Sequence, residues 1–449
     1  MIPGKHREQI QLSDHFDTRR LLRFALPSIC MMIFTSVYGV VDGYFVSNFV
    51  GKTPFAAVNL IMPYLMILGA LGFILGTGGS ALIGKLLGQG RREDANDLFS
   101  MLVYVTLIAG VVIALLGQAA LRRVAIALGA DASMLEGCVA YGRIVLWGIP
   151  AYLLQYEFQS FFVTAERPKL GLWVTVASGV MNMVLDALLV GALGMGIPGA
   201  AIATVMSAVV GGAVPLFYFA RPNTSLLRLG RARFDGRSLA RTLSNGASEF
   251  VSSISMSVVS MLYNAQLMVY AGENGVAAYG VLMYVCMIFL AVFLGFSAST
   301  APIVSFHYGA GDTRELHSLL LRGLRVVGIV SVAMLALSEA LALPLSRLFV
   351  GYDAALMALT LRAFRVFSFS FLLCGFPIFG SSFFTALNDG LTSAAISFLR
   401  TMVFQVASVL LLPGLLGLDG IWLSLIAAEL AAAAVTAGML IWKRSKYNY

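Results

Sequence analysis

RPNTSLLRLGRARFDGRSLARTLSN, residues 221–245, is the polar stretch that decides how this chain is built. It lies at the middle of a 449-residue sequence and carries six Arg residues, whereas the other loops are short. Long apolar segments fill the sequence on either side of it. The stretch is therefore predicted to be a linker between two halves of an otherwise apolar chain.

Composition restricts the chain to one class of protein. Hydrophobic residues make up 59% of it and charged residues only 12%, against about 25% charged residues in soluble domains. A helix of about 20 apolar residues crosses a bilayer. The sequence therefore predicts an all-α membrane protein with twelve transmembrane helices. Their approximate limits are 21–48, 54–87, 98–121, 139–164, 171–193, 198–220, 246–271, 274–308, 321–346, 361–386, 391–415 and 419–442.

The two halves resemble each other in sequence. The linker divides the helices into an N-lobe (21–220) and a C-lobe (246–442), with tails at 1–20 and 443–449. An offset of 221 residues pairs small and polar residues across the lobes. Matched pairs include Gly51 with Gly272, Ser160 with Ser381, Thr164 with Thr385 and Gly199 with Gly420. Six helices are an even number, so the copies are predicted to be parallel repeats, which place a transporter's cavity between two pseudo-symmetric lobes.

The positive charges predict which side of the membrane the chain ends occupy. With the N-terminus in the cytoplasm, 22 of the 30 Lys and Arg residues fall on the cytoplasmic side and seven on the other. This is the positive-inside bias, so both tails and the linker are predicted to be cytoplasmic. The same bias accounts for the net charge of +8, and no nucleic-acid partner is expected.

The sequence lacks motifs for ATP-driven transport and for enzymes. GSALIGKL (79–86) comes near a phosphate-binding loop, but Leu86 stands where Ser or Thr would hold magnesium, and no strand precedes it. The four Cys residues have neither metal-ligand spacing nor pairing. No cofactor, ATPase subunit or enzymatic activity is therefore expected.

Acidic residues in the first and fifth apolar segments mark the candidate functional site. A charge at bilayer depth costs about 2.5–3.5 kcal/mol on insertion scales. Tyr38 and Asp42 are four residues apart, as are Asn182 and Asp186, so each pair shares one helix face. With the Thr204 hydroxyl of the sixth segment, these groups offer the hard oxygen ligands that a small cation needs.

This group of residues predicts a switch that responds to H⁺ or Na⁺. If the two carboxyl groups converge, one of them should hold a proton unless a cation is present. The ligands of Na⁺ would be Asp42, Asn182, Asp186 and Thr204. Pro27, about four turns before Asp42, would bend the first helix and let it change shape when the carboxyl group titrates. The alternative is a purely structural polar cluster that bridges helices.

Other acidic residues within the apolar segments are less informative. Glu157 and Glu249 lie near predicted cytoplasmic boundaries and are candidates for a cavity or a secondary coupling role. Snorkelling of their side chains toward the interface is the alternative. Glu339 and Glu429 are expected to be structural or to line a cavity.

Five motifs give the chain its resemblance to a known family. They are VDGYFVSNFVG (41–51), FAAVNL (55–60), GGSALIGKLLGQGRREDA (78–95), NMVLDALLVGALGMGIPGAAIAT (182–204) and GFSASTAPIVSFHYGAGDTREL (295–316). With them, the chain from about residue 20 to residue 440 resembles a multidrug and toxic compound extrusion (MATE) transporter.

The resemblance implies a V-shaped pair of six-helix lobes in the inner membrane of a bacterium. It also implies Na⁺- or H⁺-coupled antiport of amphipathic, often cationic organic compounds out of the cell. The family's bending proline corresponds to Pro27. Its cation site in the amino lobe corresponds to Tyr38, Asp42, Asn182, Asp186 and Thr204.

The carboxy lobe departs from one branch of the family. Transporters of the NorM type have an additional acid in the tenth span, whereas residues 361–386 contain none. The chain is more similar to the DinF-like and Staphylococcus-type drug-efflux branches, and a second cation site is not expected. Membrane lipids and small organic substrates are the expected partners of a monomeric protein.

One alternative function remains open from the sequence. A lipid-linked oligosaccharide flippase of the same superfamily plan would need a cationic cleft for a pyrophosphate. The only candidates for such a cleft are Arg143, Arg362, Arg365 and Arg400. The sequence also leaves open whether H⁺ or Na⁺ is the coupling ion.

Overall fold

The computed structural model describes residues 10–45, 49–50 and 52–449. Fourteen α-helices contain most of these residues, and none of the described residues lies in a β-strand. Two π-helical segments, Asp186–Ala192 and Leu399–Gln405, continue α6 and α12. The helices are α1 (Thr18–Phe45), α2 (Lys52–Gly88), α3 (Arg92–Ala127), α4 (Ala132–Trp147), α5 (Ile149–Thr164), α6 (Pro168–Leu185), α7 (Gly196–Ala220), α8 (Gly236–Ala310), α9 (Thr313–Val350), α10 (Ala354–Ser368), α11 (Phe371–Ala386), α12 (Gly390–Phe398), α13 (Val406–Leu416) and α14 (Leu418–Tyr447).

The twelve predicted crossings are confirmed, although several consist of more than one helix. Within the described ranges, nine continuous helical runs are long and apolar enough to cross a membrane. Two bent pairs, α4 with α5 at 59° and α10 with α11 at 48°, add two crossings. The twelfth comes from α8, whose 75 residues hold two crossings on either side of a kink.

The kink in α8 depends on a single glycine. Gly272 has φ of +61° and ψ of −152°, a conformation that only glycine adopts without strain. The chain therefore passes from the first to the second crossing of the C-lobe without a loop. The residue paired with it by the repeat, Gly51, lies outside the described residues, as do residues 1–9 of the predicted tail.

Helix α8 begins inside the stretch interpreted as a linker, 221–245. Asp235 caps the helix, since its carboxylate accepts a hydrogen bond from the Arg237 N–H at 3.0 Å. A side-chain acceptor at this position satisfies an N–H group that has no partner within the helix. Only residues 221–235 are left between α7 and α8.

The two lobes meet where α1 and α2 pack against α8. A Cβ added at Gly78 would overlap the carbonyl oxygen of Thr242, and one at Gly309 would overlap that of Lys85. The backbones of α2 and α8 are therefore in direct contact along this end of the molecule. We refer to it below as the closed end of the lobes.

The segment before α1 joins both lobes at the closed end. The Leu12 N–H donates to Glu166 Oε1 of the N-lobe at 2.6 Å, and the Phe16 N–H donates to Glu315 Oε1 of the C-lobe at 2.9 Å. Helix α14 ends at the same end, beside the loop that precedes α12. Both ends of the described chain therefore lie at the closed end, which the charge bias predicts to be cytoplasmic.

Candidate cation-coupling site

Two helices of the N-lobe bring together the acidic residues that the sequence singles out. Helix α1 carries Tyr38 and Asp42, α6 carries Asn182, and the π-helical segment begins at Asp186. The carboxyl groups of Asp42 and Asp186 lie close enough to interact directly. Asp186 is fully buried and Asn182 is 2% exposed. The two i, i+4 pairs therefore converge from separate helices onto one buried site.

Four oxygen atoms of this site have no hydrogen-bond donor among the residues that the structure describes. Within the described part of the chain, neither carboxylate oxygen of Asp186 has a partner, nor does Asp42 Oδ1 or Asn182 Oδ1. Buried polar groups are otherwise almost always hydrogen-bonded. Two ionised carboxylates can only accept hydrogen bonds, so they cannot satisfy each other. Their mutual repulsion therefore favours uptake of a proton or a cation between them.

A π-helical segment begins at Asp186. Asp186 is its first residue, directly after the regular turns of α6. Short π-helical segments widen a helix by one residue and are common at functional sites. Here the change of helix type begins at the residue that faces Asp42.

A glycine lets α1 approach α6 next to the site. A Cβ added at Gly179 would overlap the ring of Phe34 and would lie 3.0 Å from a ring carbon of Tyr38. Tyr38 therefore packs directly on the backbone of α6, one turn from Asn182. Pro27, on the same helix, cannot donate a hydrogen bond to the Arg23 carbonyl, although α1 remains a continuous helix from Thr18 to Phe45.

The structure adds a residue that the sequence analysis missed. Tyr141 of α4 is 1% exposed, and its hydroxyl lies near the Thr204 hydroxyl and both carboxyl groups of the site. Thr204 donates to the Ala200 carbonyl at 2.8 Å, which leaves its oxygen lone pairs free to accept. Tyr141 has no polar companion at i+4 on its own helix, so only the packing of α4 against α7 could identify it.

The secondary acidic residues lie outside this site. Glu157 is fully buried, and neither of its carboxylate oxygens has a partner among the described residues. It lies near Thr106 of α3 and packs against Gly76 of α2. Snorkelling is therefore the wrong interpretation for Glu157. Because Gly76 has no side chain, α5 packs closely against α2 at Glu157, and the Glu157 side chain stays inside the lobe. Glu249 is half-buried on α8 of the other lobe.

The C-lobe carries an ion pair instead of a pair of acids. Arg400 Nε lies 2.9 Å from both carboxylate oxygens of Glu429, and Arg400 Nη2 lies 2.7 Å from Glu429 Oε1. The Glu429 side chain is 1% exposed and that of Arg400 is 17% exposed. Glu339 accepts a hydrogen bond from Ser368. These acids have donors, in contrast to Asp42 Oδ1 and the Asp186 carboxylate within the described ranges.

Comparison with known proteins assigns the family. The model of the MatE family matches this chain twice, over residues 27–188 and over residues 250–411. The chain belongs to the MATE family. The second match begins 223 residues after the first, close to the 221-residue offset of the internal repeat, so the duplication and the family assignment rest on the same segments.

Individual MATE relatives match this chain along nearly its whole length. "Multidrug export protein MepA" of Staphylococcus saprophyticus is 25% identical over 425 residues, which cover 94% of this chain and 92% of that protein. The same-named protein of Staphylococcus aureus strain MRSA252 is 22% identical over 418 residues, covering 93% and 92%. Both are named as export proteins, and this MATE protein is a transporter and not an enzyme.

Solved structures confirm the MATE fold. An "outward-facing conformation of a multidrug resistance MATE family transporter" aligns with a TM-score of 0.91 at 24% identity, covering 98% of both chains. A MATE structure "in complex with MaL6" aligns with a TM-score of 0.92 at 24% identity, with the same coverage. The arrangement of twelve crossings in two lobes is therefore that of the family.

Proposed function

We propose that this MATE transporter exports amphipathic, often cationic organic compounds from a bacterial cell in exchange for H⁺ or Na⁺. The observation that carries the proposal is the carboxyl pair of the N-lobe: Asp42 Oδ1 and both carboxylate oxygens of Asp186 are buried, and no donor among the described residues reaches them. The names of the Staphylococcus relatives support drug export as the class of transport. The coupling ion is the only bound ion that this cycle requires, and a monomer in the inner membrane suffices for it.

Coupling follows from competition between two states of the N-lobe. A cation that enters from outside joins Asp42 to Asp186 and thereby holds α1 against α6, which favours loss of the substrate to the outside. Release of the cation inward separates the carboxyl groups again and resets the site. Each charge that crosses contributes about 2.3 kcal/mol per 100 mV of membrane potential.

The ligand set suits either ion. For Na⁺, the two carboxylates, the Asn182 carbonyl and the Thr204 hydroxyl supply hard oxygen ligands. For H⁺, one proton shared by the two carboxyl groups removes their mutual repulsion. Within the described residues, no three His, Cys, Asp or Glu side chains form a cluster for a transition metal.

The flippase alternative has less support. A pyrophosphate needs arginines that are free to bind it, yet Arg400 is paired with Glu429 and Arg362 lies 2.6 Å from Asp419. Two of the four candidate arginines are therefore neutralised, which weakens the case for a cationic cleft.

Efflux from proteoliposomes tests the proposal. The purified protein is reconstituted, and movement of a lipophilic cation, tetraphenylphosphonium, is followed with an imposed pH gradient and, separately, an imposed Na⁺ gradient. We expect one gradient to drive concentrative transport in the wild type and in Tyr263→Phe, the control at the C-lobe position paired with Asp42. Asp42→Asn is expected to abolish it. Full gradient-driven transport by Asp42→Asn would refute the proposal.

A further inference from the structure

A buried polar column runs from the coupling site toward the closed end of the N-lobe. On α6 its polar groups are Asn182, Ser178 and Thr175, and Gly171 continues the same face; these residues are four, three and four positions apart. All four are buried. From Asp186 to Gly171 the column spans about 22 Å at 1.5 Å per residue, and it ends within one turn of the first residue of α6.

Facing helices supply polar partners to the column. Gln155 of α5 donates from Nε2 to the Ser178 hydroxyl at 3.1 Å, and Ser178 donates to the Ser207 carbonyl of α7 at 2.7 Å. The Gln155 side chain lies directly against Gly211 of α7, where any Cβ would overlap it. The column is therefore enclosed by α5, α6 and α7 within one lobe and is separate from the contact between the lobes.

The column contains a cavity below Ser178. The cavity leaves about 10 Å³ for the centre of a water molecule, which is close to what one buried water needs. Its lining includes Gln155, Gln159, Thr175, Gly211, Phe158 and Phe162. Gln159 is 7% exposed, and its Nε2 has no hydrogen-bond partner in the described part of the chain. A donor without an acceptor, at the wall of a water-sized cavity, indicates that a mobile polar ligand belongs there.

The matching region of the C-lobe is built differently. On α12 and its continuation, Ser393, Ser397 and Thr401 are four residues apart, and Thr401 donates to the Ser397 carbonyl at 2.7 Å. The Ser381 and Ser393 hydroxyls pair at 2.8 Å, and Thr385 pairs with Ser393 at 2.7 Å. None of these described hydroxyls lacks a partner. This polar ladder holds the C-lobe together and leaves no group for a ligand.

We propose that the N-lobe column is the route by which the coupling cation, carried by water, leaves Asp42 and Asp186 toward the closed end. This inference rests on the proposed function, and it adds the direction of release and the residues along the path. The groups of the column are neutral, so they solvate H⁺ on water or Na⁺ without trapping either ion. Phe158 and Phe162 line the cavity and restrict how far it hydrates.

The route is separate from the space between the lobes. An ion that leaves through the column does not need to pass the substrate, which is expected between the lobes. Blocking the column should therefore slow only the ion-dependent part of the cycle. Exchange of one substrate molecule for another uses no ion release and should continue.

Paired flux assays on the full chain in proteoliposomes test this route. Thr175→Val and Gln159→Met remove polar groups of the column with little change of volume. Thr401→Val is the matched control, since Thr175 is 3% and Thr401 is 5% exposed on equivalent helices of the two lobes. One assay measures gradient-driven tetraphenylphosphonium transport, and the other measures exchange of labelled for unlabelled tetraphenylphosphonium without an ion gradient.

We expect the column variants to slow gradient-driven transport by about tenfold, because the passing ion and its water lose one buried hydrogen-bond partner. Substrate exchange should be retained. Thr401→Val should leave both activities unchanged. Gradient-driven transport at the wild-type rate in both column variants would overturn the route, even while Asp42→Asn still abolishes coupling. Equal loss of both activities in correctly folded protein would also overturn it. Full coupling in Asp42→Asn would instead refute the proposed function itself.

Discussion

The Arg400–Glu429 pair predicts a large loss of stability when either partner is removed alone. Three contacts of 2.7–2.9 Å join the two side chains, and Glu429 is 1% exposed. Removal of one member of a buried pair leaves an uncompensated charge and typically costs about 3–5 kcal/mol. Because Arg400 is 17% exposed, we expect Arg400→Met and Glu429→Leu each to lower the free energy of unfolding by about 3 kcal/mol, the lower end of that range.

The double variant separates the pair's attraction from the cost of burying its charges. Arg400→Met with Glu429→Leu replaces both charges by apolar groups, and such replacements are often neutral. We expect a loss below about 1.5 kcal/mol. Equilibrium unfolding by SDS in mixed micelles measures all three variants. Arg362→Met is the control, because its pair with Asp419 is 67% and 41% exposed and should contribute less than about 1 kcal/mol. A double variant that loses as much as the two single variants together would refute the reasoning.

Two further predictions concern other parts of the fold. Gly179→Ala should lower stability by about 1–3 kcal/mol and weaken ion-dependent transport, because the added Cβ meets Phe34 and Tyr38. Gly39→Ala, which has open space around it, is the control in the same unfolding and flux assays, and equal effects of the two changes would contradict the account. At the closed end, burial disfavours the Asp389 carboxylate, but hydrogen bonds from Tyr447 and Thr392 and contact with Lys443 outweigh it and lower the pKa of Asp389. Its stabilisation should be complete above the unfolded-state pKa of about 4 and be lost as pH falls through the lower folded-state pKa. Unfolding measured from pH 7 downward should show that Asp389→Asn is less stable at neutral pH and loses less on acidification, and an unchanged pH profile would be evidence against this role.

The composition and period of the sequence were sufficient to predict the crossings and to single out Asp42 and Asp186, whereas their convergence entered the sequence analysis only as a condition. A charge in an apolar helix is costly, and a companion four residues away on each helix defines the face that must be buried. Both signals are local, so they can be found without knowing how the helices pack.

Features that depend on packing between helices could not be predicted in the same way. Tyr141 reaches the site from a fourth helix and has no local companion that marks it. Glu157 lies near a predicted boundary, which suggested snorkelling, yet Gly76 on α2 makes room to bury it. The early start of α8 had a local signal, the Asp235 cap, but its polar composition is that of a loop.

Binding of substrate at varied cation concentration tests the central claim most directly. The affinity of detergent-purified protein for tetraphenylphosphonium is measured over a pH series at constant Na⁺ and over a Na⁺ series at constant pH. A cation that drives substrate release must lower the affinity for the substrate. By linkage, the substrate then lowers the affinity for that cation by the same factor. We predict that the wild type loses affinity as one of the two cations rises, whereas Asp42→Asn and Asp186→Asn bind substrate with an affinity independent of both. A dependence on that cation that persists undiminished in both variants would contradict coupling at this carboxyl pair.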